Sequence, residues 1–225
     1  MTRSTNEAAQ AAAGTVAADA ARAGGVLRCE DIGQHPDFVH LSTIPGVAVD
    51  IRYAGADNFA ARNLYGSLDC AWLRRPAAEG LAQAARWLAR HRPGHRLLVL
   101  DALRPQRVQE AIWADVHGTH MAAYFADPRR GSIHSFGMAV DVTLLDPQGR
   151  ECDMGSGYDE MNLRSHPSLE SRHLALGVLK AEHLVHRGWL YAAMAEGGFA
   201  GISTEWWHFD HGDRDRVRQE MQRVV

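Results

Sequence analysis

The sequence predicts an α+β fold in which a mostly antiparallel sheet is flanked by helices. Runs with the two-residue period of strands and runs with the three- to four-residue period of helices both occur, but they do not alternate in regular βαβ units. A chain of 225 residues, 46% hydrophobic and 23% charged, can bury a core without disulfide or metal staples. One domain is expected, because no internal repeat and no second compositional block is visible. A metal in such a chain serves chemistry rather than folding.

Residues 1–24 read as an alanine-rich tail, expected to be disordered, and the catalytic domain is placed at 25–225. Ordered structure is expected from Gly46, where Val47, Val49, Ile51 and Tyr53 alternate with smaller or charged residues at strand period. Asp57 and Asn58 mark a turn. From Gly80 to His91, Leu81, Ala84, Ala85, Leu88 and Ala89 recur at helical steps, and Pro93-Gly94 stops the helix. Arg96 to Asp101 is a short apolar run suited to a buried strand. Arg104-Pro105 opens a second helix, with Pro105 in its first turn and Val108, Ala111, Ile112 and Val116 on one stripe.

Ser132 to Leu144 passes from loop into strand and ends at the breakers Asp146, Pro147 and Gly149. A third helix covers much of Ala181 to Glu196 before Gly197-Gly198, although Gly188 weakens its continuity. Ile202 to Phe209 reads as the last strand, and a basic, polar helix from Arg214 to Arg223 closes the chain.

A formal net charge of −3 offers no basic face for nucleic acid, so nucleic-acid binding is not expected. Cys29, Cys70 and Cys152 are too few and too scattered for a cysteine-rich zinc site, and their odd number fits a reducing compartment. Glu7, Gln10 and Asp19 interrupt the N-terminal stretch, so it lacks the apolar centre of a signal peptide. A cytoplasmic protein is expected, with a periplasmic one as the alternative. No apolar run is long enough to span a membrane. Oligomeric state leaves no signal in the sequence.

Thirteen histidines invite over-reading, so spacing must select among them. His134 and Asp141 flank a glycine-containing turn that enters a strand, and His208 lies near the other end of the chain. Two imidazoles and one carboxylate form a three-ligand set for one catalytic zinc, with the fourth position left to a water whose pKa the metal lowers. Glu205, three residues before His208, is the candidate for accepting the water proton and delivering it to the departing amine. On an ideal strand the two side chains would face opposite ways, so a twist or bulge is expected there.

Arg104, between a buried strand and a helix, is the candidate cation for the oxyanion of the tetrahedral intermediate. An ion pair with Asp101 is the structural alternative for it. Asp159 is a candidate for binding a substrate amino group, with a turn aspartate as the alternative.

At these residues the sequence resembles the D-alanyl-D-alanine dipeptidase family of the VanX type, within the wider group of zinc D-Ala-D-Ala peptidases and hedgehog-like domains. The shared pieces are Ser132-x-His134-x-x-Gly137-x-Ala139-x-Asp141 and Glu205-Trp206-Trp207-His208, with three further blocks in the family's order. Those blocks are Asp101-x-x-Arg104-Pro105, Met154-Gly155-x-x-Tyr158-Asp159 and Tyr53-Ala54-x-x-Asp57-Asn58-Phe59. The resemblance implies a hedgehog-like fold, one zinc on His134, Asp141 and His208, Glu205 as base and acid, and Arg104 as transition-state cation. It adds Asp159 and Ser132 as binders of the substrate ammonium, and it implies free D-Ala-D-Ala as the substrate, hydrolysed to two D-alanines. Ala60-Ala61-Arg62 departs from the family pattern, where a Thr-Gly pair is common.

Rival readings carry less. Glu170-x-x-His173 with Glu205-x-x-His208 imitates a di-iron bundle, but Pro167 and the aromatic run Trp206 to Phe209 do not suit long helices. His183 and His186 share a helical face without an acidic partner in sequence and read as solvated. No nucleophile elbow surrounds Ser132 or Ser135. A zinc-binding module without activity would not need Glu205 beside Arg104. An L,D- or D,D-carboxypeptidase acting on muropeptides would share the same metal chemistry and is the closest alternative.

Overall fold

The computed structural model of the chain describes residues 26–225, so the alanine-rich tail at 1–24 lies outside the described residues. In chain order the strands are β1 (Phe38–His40), β2 (Val47–Val49), β3 (Trp72–Arg74), β4 (Arg96–Asp101), β5 (Ala139–Leu145), β6 (Phe199–Gly201) and β7 (His208–His211). The α-helices are α1 (Arg75–His91), α2 (Gln106–Val116), α3 (Glu170–Ala175), α4 (Ala181–Glu196) and α5 (Arg214–Glu220). Five strands form the central sheet in the order β2-β4-β5-β7-β6, and β1 pairs with β3 in a small second sheet. Within the central sheet only β2 and β4 run parallel. The fold is therefore α+β with a mostly antiparallel sheet, as its non-alternating elements predict.

Register places the chemistry. Asp101, the last residue of β4, pairs with Asp141 on β5, and Asp141 pairs with His208, the first residue of β7. A register shift between Val99 and Asp101 brings Asp101 into that row. Three polar side chains thus stand in line across neighbouring strands at one end of the sheet.

One face of the sheet is covered by α1 and α4, whose Leu81, Leu88, Leu190 and Met194 join Leu97 and Val99 of β4 in the main core. The crossing is close because Gly80 and Gly197 meet backbone to backbone, where a Cβ on Gly80 would lie 2.3 Å from the Gly197 carbonyl oxygen. A second apolar cluster, with Tyr53, Tyr65, Leu103 and Ile112, lies around α2.

The C-terminal segment straps this end of the molecule. Val224 donates its N–H to the Ser135 carbonyl at 2.8 Å and accepts from Gln106 N–H at 2.8 Å. Val225 exchanges backbone hydrogen bonds with Leu27 and Cys29 at 2.9 and 3.0 Å.

Several expectations are corrected. Order does not begin at Gly46, because 3-10 turns at Cys29–Gln34 and Leu41–Thr43 and the strand β1 precede it. The strand expected through Tyr53 ends at Val49, and Tyr53 lies in the 3-10 turn Arg52–Ala54. α1 starts at Arg75 rather than Gly80, with Pro76 in its first turn, where a missing N–H costs nothing. Pro105 is the N-cap of α2, not a first-turn residue. Gly188 does not interrupt α4.

The last strand starts at His208, and residues 202–207 are irregular, so Glu205 escapes strand alternation. α5 ends at Glu220, short of Arg223. His183 is buried rather than solvated, with Nδ1 accepting the Lys180 N–H at 3.1 Å and Nε2 3.3 Å from Asp153. All three cysteines are free and buried. Among the described residues no helix is long and apolar enough to cross a membrane.

Candidate metal centre and active site

His134 sits on the 3-10 turn Ile133–Phe136, which feeds β5 through Gly137. Gly137 has φ +67, and a Cβ there would lie 2.7 Å from the Phe38 ring and 3.2 Å from the Arg74 nitrogen. The position therefore needs glycine twice, for its left-handed backbone and for its neighbours. His134 Nδ1 lies 2.7 Å from the Ala102 carbonyl oxygen. A carbonyl only accepts, so Nδ1 carries hydrogen, and in the neutral ring the lone pair is on Nε2.

That lone pair faces the other two candidate ligands. His134 Nε2 is 3.3 Å from Asp141 Oδ1 and 3.2 Å from His208 Nδ1, and the last two atoms are 3.0 Å apart. Ligand atoms of all three residues lie within 4.8 Å of one another. The remaining polar atoms are engaged elsewhere: Asp141 Oδ2 accepts from the Tyr158 hydroxyl at 3.1 Å, and His208 Nε2 lies 3.0 Å from Asp210 Oδ1. Two nitrogens and one oxygen converging with their far sides tied back make a donor set that fits a divalent ion of borderline softness.

The three ligand candidates line a cavity of about 350 Å³ that also contains Tyr53, Arg104, Ser132, Asp159 and Glu205. Glu205 is nearly enclosed, and burial pushes its carboxyl up to about 7. Such a group exchanges protons near neutrality. Arg104 is fixed from several directions. Its Nε and Nη2 both donate to Asp101 Oδ2, its Nη1 donates to Gln109 Oε1 at 3.2 Å, and its guanidinium lies 4.8 Å from the centre of the Tyr53 ring. Nη2 is also 3.7 Å from Asp141 Oδ2. The ion pair with Asp101 and the place in the cavity wall are thus both real, and the first holds the second.

Asp159 is held in the left-handed region at φ 55, and its Oδ2 accepts the Phe59 N–H at 3.2 Å. Burial first, and then the nearby Asp141, push its carboxyl well above the usual range. An arriving cation would relieve that. Ser132 is buried in the cavity wall and caps the His134 turn without a side-chain bond.

Sequence reasoning missed the groups behind these residues. Gln109 looks like an ordinary helix residue, and Tyr53 like a strand residue. Asp210 and Arg214 have the spacing of a surface i, i+4 pair, yet Asp210 is buried and holds His208. The signal available for Asp210 was its two-residue step from His208, which puts both side chains on one strand face.

A half-open cavity where two imidazoles and a carboxylate converge beside a buried glutamate has the make-up of a metal-dependent hydrolase site. Residues 35–225 match the M15 peptidase family described as D-ala-D-ala dipeptidase, and the chain belongs to that family of metallopeptidases. It is 35% identical to the D-alanyl-D-alanine dipeptidase of Escherichia coli K12 over 182 residues, covering 77% of this chain and 84% of that one. Against the D-alanyl-D-alanine dipeptidase of Enterococcus faecium it is 31% identical over 187 residues, 74% of this chain and 86% of that one. A solved structure of the LdcB LD-carboxypeptidase is a distant likeness, with 16% identity and a TM-score of 0.44 over 84% of this chain and 80% of that one.

Proposed function

We propose that the chain hydrolyses free D-Ala-D-Ala to two D-alanines, using one zinc ion held by His134, Asp141 and His208. The observation that carries this reading is the convergence of His134 Nε2, Asp141 Oδ1 and His208 Nδ1 on the wall of one cavity. When bound, the ion supplies Lewis acidity, which lowers the pKa of a water and polarises the scissile carbonyl.

The residues around it divide the remaining work. Glu205 accepts a proton from the attacking water at its carboxylate and returns it to the departing amine nitrogen, since an amine anion is too poor a leaving group. A carboxyl held near 7 by burial can do both at neutral pH. Arg104, locked by Asp101, presents a fixed positive charge to the carbonyl oxygen as its charge grows. Asp159, whose carboxyl burial pushes above the usual range, pairs with the substrate ammonium, and Ser132 adds a hydroxyl from the same cavity wall. The catalytic unit is residues 25–225, and the composition supports action in the cytoplasm.

Zinc-loaded protein is to be incubated with D-Ala-D-Ala, L-Ala-L-Ala and a muramyl pentapeptide while released D-alanine is measured. Selective turnover of D-Ala-D-Ala is expected. Turnover of the pentapeptide with none of the free dipeptide would replace this reading with a carboxypeptidase.

A further inference from the structure

Each candidate ligand is tied back by a group outside the ligand set, and at His208 that group is an ion pair. His208 turns Nδ1 towards Asp141 and His134, while its Nε2 lies 3.0 Å from Asp210 Oδ1. The two residues are two apart on β7 and share a face of the strand. Asp210 is buried, and a buried carboxylate is costly without a partner. Arg214, in the first turn of α5, supplies that partner by donating from Nε to Asp210 Oδ2, with Nη2 ion-paired to the same oxygen. One oxygen of Asp210 is thereby committed to Arg214, and the other to His208.

We infer that Asp210, held by Arg214, is a positioning residue that keeps the proton of His208 on Nε2 and so leaves Nδ1 for the metal. The argument rests on the reading of His208 as a ligand. An ionised carboxylate only accepts hydrogen bonds, so the Nε2 facing Asp210 carries hydrogen; Nδ1 faces Asp141 at the same 3.0 Å, and a cation held by both would take the place of a proton there. The negative charge of Asp210 also makes the imidazole a stronger donor to a cation. Without Asp210 the ring can take the other tautomer or rotate, and each removes Nδ1 from the ligand set for part of the time.

Zinc affinity by competition with a chromophoric chelator tests this, together with 15N chemical shifts of His208 in the zinc-loaded protein. Asp210→Ala is expected to weaken zinc by about ten- to a hundredfold and to broaden or shift the His208 resonances. Asp210→Asn keeps an acceptor and removes the charge, so it should retain the tautomer and lose less affinity. Arg214→Gln alters a side chain that is 46% exposed and is expected to fold even if Asp210→Ala does not. It should weaken zinc by a few-fold.

Zinc affinity within about twofold of the parent in Asp210→Ala, or in Arg214→Gln should the first variant not fold, would overturn the inference. A parent chain that binds zinc, loses it in His208→Ala and keeps it in Asp210→Ala and Arg214→Gln leaves the dipeptidase reading standing and removes only this one. A parent chain that takes up no zinc overturns both.

Discussion

Asp101, the last residue of β4, grips Arg104 three residues further on: its Oδ2 accepts Nε at 3.0 Å and Nη2 at 2.6 Å, while its Oδ1 takes the Tyr65 hydroxyl. The fork is used up in holding the side chain still, which is what an electrostatic catalyst needs in order to meet developing charge without reorganising. Arg104→Lys keeps the charge but not the two-pronged grip. Steady-state kinetics should show kcat lower by about a hundred- to a thousandfold with little change in KM, since only charge that appears during reaction is affected. An unchanged kcat would limit Arg104 to a structural ion pair.

Glu205→Gln removes proton transfer and leaves all three metal candidates in place. Zinc content by atomic absorption should match the parent, while kcat falls by about a hundred- to ten-thousandfold. In the parent, the accepting form of Glu205 is the ionised one, so kcat/KM should hold above its pKa and fall as pH drops through about 7. An acid limb in the ordinary glutamate range, about 4.3, would contradict the effect of burial.

Asp159→Asn should separate substrates that have a free amine from those that do not. On D-Ala-D-Ala the loss in kcat/KM should be large and mostly in KM, whereas an N-acetylated analogue should be cleaved equally poorly by variant and parent. Equal proportional losses on both substrates would remove amine recognition from Asp159.

Tyr158→Phe deletes one oxygen, the donor to Asp141 Oδ2 at 3.1 Å. Tyr158 borders a neighbouring cleft and not the substrate cavity, so KM should stay put. Chelator competition should show zinc bound about tenfold more weakly, because Asp141 is then free to turn. Undiminished affinity would mean that the sheet and Arg104 orient this carboxylate without the Tyr158 hydroxyl.

Gly137→Ala tests the turn that delivers His134. A left-handed backbone and a contact at 3.2 Å with the Arg74 nitrogen both oppose a side chain, so stability should fall by about 1–3 kcal/mol. Thermal unfolding measures it directly, and an unshifted midpoint would show that the turn relaxes freely.

The parts of the site visible in the sequence are those whose spacing is local. His134 and Asp141 sit on a turn and its strand, and a buried apolar run before Arg104 announces β4. Row formation across the sheet was not visible, because pairing Asp101 with Asp141 and Asp141 with His208 depends on strands far apart in the chain. The segment before Gly46 was missed because 3-10 turns leave no periodic pattern.

Arg187 shows the limit most clearly. It reads as a charge on a helix, yet it is fully buried and donates to the carbonyls of Met154 and Arg164 and to Glu170. Those partners bracket the loop that carries Asp159, and no local pattern reports them.

The hydrogen bonds of Val224 join the Ser135 carbonyl, one residue past His134, to the Gln106 N–H, two residues past Arg104. Loss of the two Val224 hydrogen bonds would therefore loosen the His134 turn and the start of α2 at once, although Val224 does not line the cavity.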